Sequence, residues 1–254
     1  MLSTNRIKFL RSLSAKKTRA DEGLFTVEGV KPVAELLSSP VKIHSVYALN
    51  GWIMEYKTQL AASGAEVVTV TEKELERISQ LATPNQVLAL VYQPTADLDI
   101  NALGDKLVLA LDGVADPGNM GTIIRIADWF GIDTIVCSPN SVELYNPKTV
   151  QATMGSLFRV HVFYTDLKPF IEEYKTAYTN PVCAAVLGGE DLYTSPIKAP
   201  CLLLMGSESH GLSAELINAS THKISIPAAV GSKAESLNVG VSAAVIVSEL
   251  RRRG

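Results

Sequence analysis

The stretch LVLALDGVADPGNMGTIIRIADWFG, residues 107–131, decides the architecture. Its first five residues are all apolar, which suits a strand buried on both faces rather than one with a wet side. Pro117, Gly118 and Gly121 then read as a tight turn, followed by a helix, GTIIRIADWFG, that ends at Gly131. Ile123, Ile124 and Ala127 supply its apolar contacts, while Arg125 and Asp128 point in other directions. A buried strand feeding a helix is the unit of a parallel sheet covered on both faces. Ligands of such sheets bind beyond the carboxyl ends of the strands, where a helix N-terminus offers unpaired N–H groups. Arg125 sits one turn into the helix. It is either a ligand contact or a surface residue paired with Asp128.

The same alternation runs outward in both directions. Before residue 93, LFTVEG, IHSVYAL, EVVTV and QVLALVY read as strands. VKPVAELLSS reads as a helix with Pro32 in its first turn, and Thr71 with Glu74 forms a capping-box pattern ahead of LERISQLA. The segment QPTADLDINALG, from Gln93 to Gly104, is polar and irregular and reads as a linker. After residue 131 come the strand TIVCS and the helix NPKTVQATMGSLF, with Asn146 capping and Pro147 first. PVCAAVLG, CLLLMG and KISIP are further strands, SAELIN is a short helix, and the helix from Val239 closes the chain. This organisation predicts a domain over 1–95, a linker at 96–104 and a second domain over 105–254.

Two more strand-end loops in the second part carry unusual residues. GSESHGLS, residues 206–213, has the glycine separation of a phosphate-binding loop, but Leu212 stands where that loop needs Lys. Nor is it a hydrolase elbow, because Ser207 occupies the place of the first glycine. Glu208 is its notable residue, with a solvated turn carboxylate as the plain alternative. IPAAVGSKAESLN, residues 226–238, ends in Ser236, Leu237 and Asn238 just before a helix whose Val239, Ala243, Ile246, Val247 and Leu250 recur at helical spacing. No dinucleotide fingerprint occurs at any strand–helix junction.

The 254 residues are 47% apolar, enough for two cores, and the net charge of −3 excludes a polycation. Residues 1–31 nevertheless hold seven Lys or Arg against three acids, and Arg251, Arg252 and Arg253 form a second basic cluster. Such patches can contact phosphates or simply be solvated. Cys137, Cys183 and Cys201 lie far apart in apolar runs, as buried thiols do in a reducing compartment. No stretch suits a membrane span or a signal peptide, so a cytoplasmic protein is expected.

DGVADPGNMGTIIRIADWFG, LLLMGSESHGLS and ISIPAAVGSKAESLNVGVSAA, in this order, resemble the three motifs of the SpoU (TrmH-like) RNA 2′-O-ribose methyltransferases of the SPOUT superfamily. The likeness covers residues 107–250. FTVEGVKPVAELL and TPNQVLALV are similar to the small L30e-like RNA-binding domain that precedes the catalytic domain in many members. The resemblance implies an α/β fold: a SPOUT-type trefoil-knotted parallel-sheet C-terminal domain with a smaller α/β L30e-like domain before it. It also implies a homodimer and S-adenosyl-L-methionine as cofactor. The cofactor-binding positions carried over are Gly206, Ile226 and Leu237, the last packing on the adenosine. The catalytic positions are Asn119, Arg125, Glu208, Ser236 and Asn238, with Arg125 either a base or a clamp on phosphate and developing oxyanion. This chain departs from the family pattern in a longer stretch between Ile226 and Leu237, in Ala228 for Met, and in Gly240 for Ser.

The expected activity is methyl transfer to a ribose 2′-hydroxyl in RNA, ribosomal rather than transfer RNA because the small first domain is present. A transfer-RNA ribose methyltransferase is the alternative, and a non-catalytic RNA-binding or ribosome-assembly factor a more distant one. Arg6, Lys8, Arg11, Lys16, Lys17 and Arg19 are the expected phosphate contacts of the basic N-terminal segment. No metal is expected.

Overall fold

The computed structural model describes residues 1–253 and divides the chain into two compact units. The first comprises residues 1–96 together with residues 143–158. It starts with helices α1 (Thr4–Ser12) and α2 (Lys16–Glu22), then strand β1 (Leu24–Glu28) and helix α3 (Val30–Leu37). Strand β2 (Ile43–Ala48), helices α4 (Asn50–Glu55) and α5 (Lys57–Ser63), strand β3 (Glu66–Thr69), helix α6 (Glu72–Ile78) and strand β4 (Val87–Tyr92) complete it. The sheet runs β1-β4-β2-β3, with β4 antiparallel to both its neighbours and β2 parallel to β3. Ile7 and Leu10 of α1 and Leu13 just after it pack with Tyr47, Ile78, Leu88 and Leu90 in one of its cores.

The Thr71–Glu74 capping box forms as the spacing predicts, each residue's side chain reaching the other's backbone N–H. Glu74 also accepts from the Leu2 backbone N–H at 2.6 Å, which ties the chain start to α6. Hydrogen bonds from the Thr71 and Leu2 backbone N–H groups, and then from the Thr71 hydroxyl, hold its carboxyl down to about 2.

Not every basic residue of the N-terminal segment is free. Arg19 is only 2% exposed. Its guanidinium donates to the Leu13 and Ser14 carbonyls at 2.8 Å each and forms a two-pronged pair with Glu143, at 2.5 and 3.2 Å. The expectation that Arg19 meets phosphate is therefore corrected, because the group is buried and four of its five N–H donors are already committed inside the unit. Arg6 is half-buried and committed to the Tyr47 hydroxyl and to Glu66. Lys8, Arg11, Lys16 and Lys17 are exposed.

The second unit comprises residues 97–142 and 159–253. Chain order from residue 107 is β5 (Leu107–Asp112), α7 (Pro117–Trp129), β6 (Thr134–Cys137), α8 (Pro147–Thr153), β7 (His161–Tyr164), α9 (Leu167–Ala177), β8 (Val182–Asp191), β9 (Cys201–Gly206), α10 (Ala214–Ala219), β10 (His222–Ser225) and α11 (Val239–Arg253). Its six strands run β10-β8-β9-β5-β6-β7 and every pairing is parallel. One sheet face packs Val108, Ala110, Leu202 and Leu204 against Phe170, Ile171 and Tyr174 of α9 and Leu216 of α10. On the other, α11 packs along α7 and against β9. This is the expected parallel sheet with helices on both faces.

Residues 143–158 depart from the expected division at 105. They include α8, but α8 packs on β1 of the first unit. Tyr145 stacks on Phe25 with ring centroids 4.4 Å apart, and Glu143 holds Arg19. The C-terminal arginines are anchored too. Arg253 donates to the Leu192, Ser195 and Ile197 carbonyls, Arg252 pairs with Glu249, and Arg251 reaches the Gly131 carbonyl. Cys137, Cys183 and Cys201 are buried free thiols, as expected.

Two tests follow from the first unit. Arg19→Ala leaves Glu143 without its buried partner and two carbonyls without a donor. Urea denaturation should show a loss of about 3 kcal/mol; no loss would refute the anchoring role. For Glu74, a folded pKa below the unfolded value means stability present above about pH 4.5 and lost toward pH 2. The urea midpoint of the unaltered protein should therefore fall more steeply over that window than that of Glu74→Gln, and parallel curves would contradict the assignment.

Candidate active site

The strand order of the second unit reverses at its middle. From β5 the chain moves out through β6 and β7, then returns to build β9 on the other side of β5. Such a switch point opens a crevice at the carboxyl ends of the two central strands. Three segments meet there. Each is held by its own local chemistry.

The first is the start of α7. Here the helix begins at Pro117, a turn earlier than the glycines suggest, with the Asp116 carboxylate accepting from the Asn119 N–H at 2.8 Å. Asp at the N-cap followed by Pro at the first position is a strong start signal. Gly118 and Gly121 therefore lie inside the helix rather than in a turn. Asn119 is half-buried in its first turn, and Arg125 lies on the exposed surface farther along. Asp128 is not the partner of Arg125. It is held by Arg159, whose guanidinium donates to both carboxylate oxygens at 2.8 to 3.1 Å. Arg125 makes no hydrogen bond or ion pair with any described residue.

The second segment follows β9. The Gly211 N–H donates to the Ser207 carbonyl at 2.9 Å, and the His210 N–H to the Ser207 hydroxyl at 3.2 Å, folding the loop back on itself. A Cβ on Gly206 would overlap the backbone of Gly211 and Leu212, so only glycine fits there. The loop is fastened to the end of β5 by the Ser213 N–H, which donates to the Asp112 carboxylate at 3.0 Å.

The third segment runs from Ile226 to Asn238. It turns at Gly231, φ +83°, where the Ser232 N–H donates to the Ala229 carbonyl, and it ends by capping α11. Asn238 Oδ1 accepts from the Gly240 and Val241 N–H groups at 2.9 and 3.2 Å. That fixes the amide's orientation. Its Nδ2 must face the other way, where it donates to Asn119 Oδ1 at 2.9 Å and to the Glu208 carboxylate. One side chain thus joins all three segments.

Beside this junction lies a cleft of about 570 Å³, within the range of small-ligand sites. Gly206, Glu208, Ile226, Ser236 and Leu237 line it. Asn119 and Asn238 stand at its edge through the hydrogen bonds to Glu208, and Arg125 is not among the lining residues. Leu237 is 48% exposed, an apolar side chain left open at the mouth. The cleft has a wall that sequence reasoning missed: Ala185, Val186 and Leu187 of β8. Gly188 and Gly189 immediately follow these residues, and Gly189 sits so close to the Lys223 and Ile224 backbone that a Cβ would not fit. That glycine pair after an apolar run was the available signal. Glu208 and Glu235 are the acids of the lining, and no Lys or Arg belongs to it. No group of acids, His and Cys suited to a metal occurs among the described residues.

Residues 106–248 match the SpoU rRNA Methylase family. This chain belongs to that family. Residues 4–89 match the MRM3-like substrate binding domain. The chain is similar to the 23S rRNA (guanosine(2553)-2′-O)-methyltransferase RlmP of Bacillus subtilis, with 29% identity covering 97% of this chain and 96% of that one. Among solved structures, a TrmH-family protein from Porphyromonas gingivalis superimposes with a TM-score of 0.88 and 38% identity over the whole of both chains. An AdoMet-bound rRNA methyltransferase from Sinorhizobium meliloti gives 0.87 and 31%, covering 99% of this chain and 97% of that one.

Asn238→Asp separates the two jobs of this residue. Aspartate still caps α11, so thermal stability should stay within about 1 kcal/mol of the unaltered protein. The new carboxylate opposes Glu208 where an N–H stood before, so ligand binding in the cleft should fall at least tenfold by calorimetry. Unchanged binding would show that the junction does not shape the cleft.

Proposed function

We propose that this protein transfers a methyl group from S-adenosyl-L-methionine to a ribose 2′-hydroxyl of ribosomal RNA. The observation that carries the proposal is the Asn238 junction, which draws the three family motifs onto the rim of a single cleft. Membership of the SpoU family and the Sinorhizobium relative that binds AdoMet support the cofactor. The Bacillus relative and the match to a substrate-binding domain support ribosomal RNA as the substrate.

The cleft fits the cofactor by its own chemistry. Ile226 and Leu237 offer apolar surface to an adenosine, and Gly206 lines the cleft beside them. Carboxylates without a balancing Lys or Arg suit a sulfonium cation. Bound S-adenosylmethionine supplies an electrophilic methyl carbon. The residues of this chain have the remaining tasks: to place the hydroxyl in line and to stabilise the oxygen as it gains negative charge. Arg125 is assigned the second task. A guanidinium does not give up its proton in proteins, so it acts as a clamp on phosphate and oxyanion rather than as a base. Ser236 contacts the cofactor or ribose, while Asn119, Glu208 and Asn238 hold the rim in shape.

The proposal includes a homodimer and a knotted C-terminal segment. For the first, Trp129 at the end of α7 is 85% exposed and Val241 at the start of α11 is 51% exposed, large apolar side chains left open on two helices that pack together. For the second, the chain leaves the sheet edge at β10 and returns to its centre as α11. Lys8, Arg11, Lys16 and Lys17 are proposed to contact RNA phosphates.

The test compares ribose methylation across total RNA with and without the gene. One ribosomal position should lose its 2′-O-methyl group when the gene is deleted, and an unchanged map would refute the proposal. In vitro, Arg125→Ala should lower methyl transfer by at least about 100-fold, the scale of a lost transition-state donor. Its cofactor affinity should stay within twofold.

A further inference from the structure

We infer that Arg159 is a positioning residue, which keeps Arg125 available to RNA by occupying Asp128. The inference rests on the proposed role of Arg125. Arg125 and Asp128 lie three residues apart on α7, a spacing at which oppositely charged side chains meet on a helix surface. Left alone, the two would pair, and the Asp128 carboxylate would compete with RNA phosphate for the guanidinium. The structure shows a different arrangement. Arg159, just ahead of β7, takes the carboxylate with three N–H···O contacts, Nε to both oxygens at 3.0 and 3.1 Å and the terminal nitrogen at 2.8 Å.

A two-pronged arginine–carboxylate pair is the stronger competitor for geometric reasons. The planar fork of Arg159 meets both oxygens at once. Arg125 would have to bend along its own helix, with the cation N-terminal to the acid, the less favourable order. Asp128 is 23% exposed in its side chain and Arg159 47%, so the pair lies at the surface but is not fully solvated. Its effect on Arg125 is twofold. It removes the rival acceptor and cancels a negative charge close to where a phosphate would dock.

The experiment uses the full chain, in vitro transcribed 23S ribosomal RNA and S-adenosylmethionine. Arg159→Ala should lower kcat/KM for RNA about two- to fivefold, the scale of an exposed ion pair redirected. Its cofactor affinity should be unchanged. It should also reduce the slope of log affinity against log salt by roughly 0.7 to 0.9, the loss of one phosphate contact. The double variant Arg159→Ala/Asp128→Asn should recover both the rate and the slope, because no carboxylate remains to capture Arg125. A slope unchanged in Arg159→Ala, or a double variant as slow as the single one, would overturn the inference, since a purely structural pair would not move the slope. Arg125→Ala run alongside separates the two levels: full activity there defeats the role of Arg125 itself, whereas an inactive Arg125→Ala beside a fully active Arg159→Ala defeats only the inference about Arg159.

Discussion

The second unit depends on how one amide is oriented. The helix N-terminus at Asn238 demands an acceptor, and the side-chain oxygen supplies it to the Gly240 and Val241 N–H groups. Once the oxygen is committed, the nitrogen can only donate, and Asn119 and Glu208 are the acceptors it finds. A capping requirement of the last helix therefore sets the spacing of two loops that are distant in sequence. An Asp or Ser in its place would cap equally well and donate to neither in the same way. The residue type is dictated by the pair of tasks.

The cleft owes its place to topology and its openness to backbone. A parallel sheet whose order reverses at β5 and β9 leaves a gap no connection covers, and the loops after these strands end there. Gly206 lets the returning loop press against the strand end, and Gly189 lets β10 press against β8. These close approaches replace side-chain volume with backbone, which leaves space and exposed polar groups for a ligand. Asp112 then fastens the loop from the neighbouring strand through Ser213. Rigid anchoring of a loop at both ends favours a site shaped before its ligand arrives.

Much of this was legible because it is local. The apolar runs of β5 and β9 fall where they were read, as do the capping box at Thr71 and Glu74 and the Asn146–Pro147 helix start. Local signals that conflict were harder. The glycines at 118 and 121 suggest a turn, although Asp116 and Pro117 already start the helix. The helix α9 was not read from LKPFIEEYKTA, where Pro169 stands in the first turn and has no helical hydrogen bond to lose. What lay wholly beyond local reading was partnership at a distance. Arg19 meets Glu143 across 124 residues and Arg159 meets Asp128 across 31, and neither spacing leaves a trace in composition.

Partnership at a distance also sorts the arginines into two kinds, which counting charges cannot do. Arg19 is consumed by the fold, and Arg253 is consumed in fixing the end of α11 to three carbonyls. Arg125 is not consumed. An exposed guanidinium without a partner contributes little to folding. The cleft, by contrast, holds Glu208 and Glu235 and no Lys or Arg in its lining. The charges of this unit are thus divided, with acids lining the cavity and a cation free on the helix outside it. That division fits the proposed function, in which a sulfonium enters the cavity and a phosphodiester meets Arg125. The two substrates of a methyl transfer to RNA differ in charge in the same sense, so one electrostatic pattern can bring both to the rim without either blocking the other.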